Sequence, residues 1–391
     1  MKILIVGDPH LGGSLVLGKN ALGTSLNSKV IDRFNLLDYC LEYAVDNDID
    51  TIVVTGDIFD EPKPFPSLIS QFLSWLKRCE INDIDVHIII GNHDILRSGS
   101  FVTTSLDVIE ECDLDHVSIH KDISTIFIDG VGITFLPFRD RKSFNVEKNE
   151  DALAILQGMV DYELALIPRH YHKLLVGHLA IEGSIFIGEI DDLTNELLCP
   201  KKMFLGYNRV IMGHIHSPQV MSQSPFIAHI GSLDRSDFGE EDQDKIIMIY
   251  DSSYNELKNH ILPTRALNKI KIDIPKGMGD TDKFVKDKLL LKKDILVQSS
   301  VKVDIHLEDV SLLSINRSEI EHYLYSLGVF NVVSIHETKV LNIIKKEVII
   351  NTTIDMPSAI KTYANNYVDE SERENFIELA QEICKQFREE K

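Results

Sequence analysis

The sequence has little of what a secreted or membrane-bound chain carries. Its 391 residues hold five cysteines, Cys40, Cys79, Cys112, Cys199 and Cys384, odd in number, widely spaced and without a C-x-x-C. Neither a disulfide framework nor a zinc ribbon is indicated. Long apolar runs are missing as well: stretches such as Ile88 to Ile90 or Ile246 to Tyr250 fall far short of the roughly 18 residues a membrane span needs. At the N-terminus, Ile3 to Val6 meets Asp8 at once, too early for a signal-peptide core, so the expected location is the cytoplasm, with no membrane contact. Basic charge is scarce too, with 40 Lys and Arg against 61 Asp and Glu and a net charge of −21. That balance excludes a stand-alone nucleic-acid binder held by bulk charge, but not a local basic patch or bound metals.

What is present is a globular chain, 44% hydrophobic and long enough for two or three domains at roughly 150 residues each. No internal repeat or low-complexity tract interrupts it. The first two-thirds alternates short β-branched runs with helical patterns, which predicts an α/β layer fold. Strands are expected at Lys2 to Val6, Thr51 to Thr55, Val86 to Ile90, Lys173 to Val176 and Arg209 to Met212, with later ones at 226–230 and 245–250 completing a two-sheet sandwich. Val30, Phe34, Leu37, Leu41 and Val45 recur every three or four residues, predicting a helix over 29–47, and similar patterns predict helices over 67–80 and 150–166. After Pro263 the order strand, helix, strand, helix, strand (269–274, 281–291, 301–307, 317–327, 330–337) reads as a small α+β domain. Two helical patterns follow, one starting at Pro357 and one with Phe376, Ala380, Ile383 and Phe387 on a single face.

Fifteen histidines are the odder number, and their placement decides the argument. Each of the five clear strands runs into a segment rich in metal-ligand side chains: Asp8-Pro9-His10, Gly56-Asp57, Gly91-Asn92-His93-Asp94, Gly177-His178 and Gly213-His214-Ile215-His216. Sites in α/β sheets gather at the carboxyl ends of strands, where loops converge. Any one of these segments alone is weak, because a single histidine after a strand is more often a satisfied surface or core group. Two divalent ions roughly 3.5–4 Å apart need a bridging carboxylate, several neutral imidazoles and open positions for solvent and phosphate, and this set offers them without a thiolate.

All five segments in this order, D-x-H, G-D, G-N-H-D, G-H and G-H-x-H, resemble the calcineurin-like metallophosphoesterases. The resemblance implies that Asp8, His10, Asp57 and His216 bind a first metal, and that Asp57, Asn92, His178 and His214 bind a second, with Asp57 as the bridge. It implies that His93 protonates or stabilises the leaving oxygen, with Asp94 orienting it by a hydrogen bond; the alternative for Asp94 is a loop cap. His229, just before Gly231-Ser232, sits where its loop approaches the site. The stretch from Gly231 to Glu240, G-S-x-x-R-x-x-F-G-E, together with Asp8 to Gly12 and Gly56 to Asp60, is similar to the SbcD-type nucleases of double-strand-break repair, the meiotic-recombination-eleven family. Pro9 departs from that pattern without removing a ligand. The glycines between Leu11 and Lys29 (Gly12, Gly13, Gly18, Gly23) form an insertion, either plain linker or a DNA- or dimer-facing loop.

The fold this implies is α/β, a two-sheet sandwich flanked by helices (the metallophosphoesterase fold), with a small α+β capping domain and a C-terminal helical segment. The expected boundaries are 1–263 for the nuclease domain, 264–340 for the capping domain and 341–391 for a partner-binding segment. The expected function is a two-metal DNA nuclease, exonuclease and endonuclease, acting in repair, recombination or replication. The cofactors would be two divalent cations, manganese by resemblance, with magnesium, iron or zinc as alternatives. Partners implied are DNA, an SMC-type ATPase (SbcC-like) held through the C-terminal helices, and a second copy of the chain in a homodimer. Arg97 and Arg235 are candidate DNA contacts, with Arg139 as another basic group. Rival readings are a phosphatase or nucleotide phosphodiesterase of the same superfamily, and a non-catalytic scaffold on the same fold.

Overall fold

Alternation along the first strand shows how the layers stack. In Lys2–Val6, Ile3 and Ile5 face one apolar cluster while Leu4 and Val6 face another, and all four are fully buried. A strand buried on both faces belongs at the centre of a layered fold. The structure is a computed structural model that describes residues 1–21, 26–97, 102–186, 196–308, 314–339, 360–361, 363–365, 368 and 372–389. It falls into two compact units, Met1–Thr338 and Lys339–Lys391.

In the larger unit one six-stranded sheet runs in the order Glu256–Ile261, Ile246–Asp251, Lys2–Val6, Thr51–Val54, Asp85–Ile89, Val117–His120. Its last four strands are parallel neighbours. A second runs Gln219–Gln223, Phe226–His229, Arg209–Met212, His172–Gly177, Val131–Leu136, Ser124–Ile128, with parallel pairing through the middle four. Ile3, Ile5, Val53 and Ile89 of the first sheet meet Ile133, Phe135, Leu174, Val176 and Ile211 of the second in the sandwich core. Outside the first sheet lie the helices Ser28–Asp46 and Pro66–Ile81, which bring Val30, Phe34, Leu37, Phe72, Trp75 and Leu76 against it. Full burial of a side chain such as Phe72 contributes roughly 1.5–3 kcal/mol. The single tryptophan also fixes the two helices to each other, Trp75 Nε1 donating to the Leu37 carbonyl at 2.9 Å. Asn149–Leu166 covers the second sheet through Ala152, Leu156 and Val160.

Residues 267–338 form a third layer within the same unit. Leu267–Ile274, Ser300–Leu307 and Asn331–Lys339 make a three-stranded sheet whose first two strands are parallel, joined through the helix Thr281–Leu290. Ile270, Ile272, Val303 and Ile305 pack on Val285, Leu289, Ile320 and Leu324 in their own core. The described part of the glycine-bearing loop runs against this layer. Ser300 Oγ donates to the Leu17 carbonyl at 2.7 Å, Asn331 Nδ2 to that of Gly18 at 3.1 Å, and Lys19 Nζ to that of Phe330 at 2.7 Å. Arg265 then grips Asp32 with two 2.7 Å bonds and lies over the Phe330 ring.

In the smaller unit the helix Arg373–Glu389 is present, with the Tyr363 and Phe376 rings stacked at 5.8 Å. Pro357 lies outside the described residues. No helix among the described residues is long and apolar enough to cross a membrane.

Candidate metal centre

Each expected strand end delivers its segment to the same place. Three of the residues delivered take left-handed backbone: His10, Asp57 and His214 have φ of 44°, 48° and 74°. Such conformations cost roughly 1–3 kcal/mol each for residues with a side chain, and persist where surrounding contacts over-determine them. Those contacts are visible. His10 N–H donates to the Asp57 carbonyl at 2.9 Å, and Asp8 accepts from Thr55 Oγ1 at 2.6 Å and from His214 N–H at 2.7 Å.

Three groups of donor atoms result, one of them (His10, Asp60 and His93) sharing His10 with the first of the two that hold the expected ligands. In that first, Asp8, His10 and His216 each bring an atom within 4.8 Å of the others; in the second, Asp57, His178 and His214 do the same. His10 Nε2 lies 3.6 Å from Asp57 Oδ2, and His178 Nε2 lies 3.1 Å from that same oxygen, so Asp57 stands between the groups. Asn92 Oδ1 faces His178 Nε2 at 3.1 Å and His214 Nδ1 at 3.0 Å. The structure thus brings together all seven residues expected as ligands.

The imidazoles share one habit. Each turns one nitrogen to the centre and the other toward an oxygen, hydrogen-bonded to it in His178 and His214. His178 Nδ1 meets the Thr55 carbonyl at 2.8 Å, His10 Nδ1 lies 3.3 Å from Asp60 Oδ1, His214 Nε2 lies 3.3 Å from Glu196 Oε2, and His216 Nδ1 lies 3.5 Å from Glu240 Oε1. Histidines that bind metals are oriented in this way, because the outer acceptor sets which nitrogen is left bare. At the centre, His10 Nε2 and His216 Nε2 face each other at 2.9 Å. Either a shared proton or a cation held by both rings accounts for that approach, and both rings point their Nε2 to the same spot. The electrostatics agree. Burial would lower His178, but the carboxylates of Asp57 and Asp8 outweigh it and push its pKa up to about 10. Burial would raise the Asp57 carboxyl, yet His178, His10 and His93 hold it well below the usual carboxylate range. The donor set therefore fits a pair of hard or borderline divalent cations.

His93 stands beside this centre, its ring centroid 4.9 Å from that of His10. Its Nδ1 lies 2.7 Å from the Asp60 carbonyl, and its backbone N–H donates to Asp57 Oδ1 at 2.8 Å. Burial would lower its pKa, but the Asp57 charge and the Asp60 carbonyl raise it.

Three expectations need correction. Asp94 does not orient His93. Fully buried, its Oδ2 accepts from Gly91 N–H at 2.9 Å and its Oδ1 from Ile58 and Phe59 N–H at 3.0 and 3.4 Å. It closes the loops, the alternative role, and the Asp60 carbonyl holds His93 instead. Arg235 does not face solvent: its guanidinium donates to the Glu240, Gln243 and Arg265 carbonyls and to Thr264 Oγ1. Arg139 is likewise turned inward, onto Phe138, Lys121 and Asp122. Arg97 ends the short strand Ile95–Arg97, and its side chain lies outside the described residues. His229 is buried behind the site, bonded to the Gly213 carbonyl and Ser184.

Asp60, Glu196 and Glu240 are the functional neighbours that sequence reasoning passed over. Asp60 lies three residues after Asp57, and Glu240 closes the G-S-x-x-R-x-x-F-G-E stretch, so both were within reach of the motifs. Glu196 carries no such signal.

The model of the calcineurin-like phosphoesterases matches residues 1–218. The chain is similar to the SbcD component of the SbcCD nuclease of Staphylococcus saprophyticus, 24% identical over 323 residues that cover 79% of this chain and 80% of that protein. It is also similar to the DNA double-strand break repair protein Mre11 of Methanosarcina mazei, 25% identical over 361 residues, 89% of this chain and 52% of that longer one. Among solved structures, a dimetal phosphatase from Danio rerio aligns with a TM-score of 0.42 at 10% identity, covering 67% of this chain and 96% of that one.

Proposed function

This chain belongs to the calcineurin-like phosphoesterase family, a metal-dependent class of phosphoester hydrolases, and from that premise we propose that it is a two-metal DNA nuclease, exonuclease and endonuclease, acting at DNA ends. The observation that carries the reading is the pair of donor groups meeting at Asp57. Similarity to two nuclease and repair proteins over 79% and 89% of the chain, well past the family match, favours DNA over a small ester. Asp8, His10, Asp57 and His216 would hold one cation, and Asp57, Asn92, His178 and His214 the other, with manganese the proposed metal. When bound, such a pair supplies Lewis acidity, lowering the pKa of water and neutralising charge on the phosphoryl oxygens.

The chain's own groups would do the rest. With Nδ1 against a carbonyl, which can only accept, His93 carries a proton there, so its Nε2 is the atom that gives or takes one. Placed so, that atom can pass a proton to a leaving oxygen. The Thr55 carbonyl and Glu196 hold the His178 and His214 rings, and Asp60 and Glu240 face those of His10 and His216.

In the proposed organisation, 1–263 cuts, 264–340 covers the substrate side and 341–391 binds an SMC-type ATPase in the cytoplasm, the nuclease acting as a homodimer. The test is manganese-dependent digestion of end-labelled duplex and hairpin DNA beside a small phosphodiester, with metal content measured in parallel. Cleavage of DNA is expected, and Asp57→Asn should lose both cutting and bound metal. Preference for the small ester would favour a nucleotide phosphodiesterase, and two equivalents retained in Asp57→Asn would remove the bridge.

A further inference from the structure

His216 is the least enclosed imidazole of the set. Its side chain is 31% exposed, against 2% for His10, 0% for His178 and 8% for His214. A ring open to solvent on one side can turn about its χ2, so something must hold Nε2 inward. We propose that Glu240 is the positioning residue for His216, an assignment that rests on the metal-centre reading above. Its Oε1 faces His216 Nδ1 at 3.5 Å. The carboxylate itself cannot move freely. It is 1% exposed, its Oε2 lies 2.8 Å from Lys245 Nζ, and it accepts from Ser236 N–H at 3.0 Å.

Lys245 makes the arrangement specific to this ring. Fully buried, its ammonium donates to the His216 carbonyl at 2.7 Å and to Ser232 Oγ at 2.9 Å, so one cation holds both the backbone of His216 and the carboxylate facing its ring. The loop between them is tied down at three further points: Lys29 Nζ to Asp234 at 2.6 Å, Arg33 to Ser236 Oγ at 3.0 Å, and Arg235 to Thr264 Oγ1 at 2.5 Å. Arg33 also donates to the His10 carbonyl. A buried ionic group of this size is costly to assemble for stability alone, because the desolvation of its charges offsets most of their attraction. Here it serves geometry at the first metal position.

The test is a manganese titration of metal-stripped protein by calorimetry. Glu240→Leu alone strands the Lys245 charge and is prone to misfold, so the informative variant is the double Glu240→Leu/Lys245→Met, which removes both charges together and leaves no acceptor at position 240. The wild-type chain should bind two equivalents; the folded double variant should bind one as before and the other about 10- to 100-fold more weakly, the usual penalty for losing such an acceptor. Two unchanged equivalents in the folded double variant overturn the assignment while leaving the metal centre standing. A wild-type chain that binds no cation overturns the metal reading, and the assignment with it. On the unaltered zinc-loaded protein, long-range ¹⁵N–¹H spectra should show His216 protonated at Nδ1 and ligating through Nε2. The reverse pattern also overturns it, whatever the variants do.

Discussion

At the residue scale, His93 and its neighbour Asp94 separate chemistry from architecture. His93 keeps Nδ1 on a carbonyl and offers Nε2, whereas Asp94 spends both oxygens on three backbone N–H groups. His93→Ala should therefore keep fold and metal and lose about 10² to 10⁴ in single-turnover rate, the usual size of a proton-transfer contribution. Asp94→Ala should instead lower the denaturation midpoint, since a buried donor left unpaired costs on the order of 1–3 kcal/mol. Near-wild-type single turnover in His93→Ala would remove that ring from the mechanism. The seven ligand candidates were legible because each follows a strand end and has the side chain a hard cation needs. Their holders were not. Glu196 approaches His214 from a loop 18 residues earlier, and no local pattern records an approach made by tertiary packing. Asp94 misled for the opposite reason: adjacency in the chain to His93 suggested a pair that the loop geometry does not form.

At the scale of elements, close backbone approach explains the glycines at the strand ends. A Cβ on Gly91 would overlap Asp57 Oδ1, and one on Gly213 would overlap Asp8 and Thr55. The five strands leading to the site and the three long helices of the larger unit read from sequence because their apolar spacing is regular. Val131–Leu136 did not, since it is buried throughout and has no alternation to show. Its Phe135 ring carries the His120 ring at 3.7 Å, while His120 Nε2 lies 3.0 Å from His87 Nδ1. Burial first, and His87 second, lower the pKa of His120 to about 3, from 6.5 in an open chain. Between those values the unfolded chain takes up a proton that the folded one refuses, so stability is fully present above about pH 6.5 and declines as pH falls toward 3. His87, lowered by burial against the opposing charge of Asp85, adds in the same direction. His120→Gln should therefore flatten the loss of unfolding free energy, read from urea melts, between pH 7 and pH 5.5, by up to about 1.4 kcal/mol per pH unit. Parallel pH profiles for variant and wild type would show that another group governs acid sensitivity.

At the scale of the whole molecule, a chain of net charge −21 must hold DNA against its own field, which argues for bound cations at the site and a partner that supplies longer-range grip. The C-terminal unit is the candidate for that partner. The helix Arg373–Glu389 carries Phe376, Ala380, Ile383 and Phe387 at helical spacing in the sequence, an apolar stripe of the kind that a partner's groove buries. An SMC-type ATPase offers a coiled-coil stem, whose apolar seam accepts such a helix. Truncation after Asn351 should then abolish co-purification with the co-expressed ATPase while leaving metal content and cleavage of short single-stranded DNA near wild type. A truncated chain that no longer folds would assign the stripe to the protein's own surface, and a folded one that still binds the ATPase would move the docking site into residues 1–351.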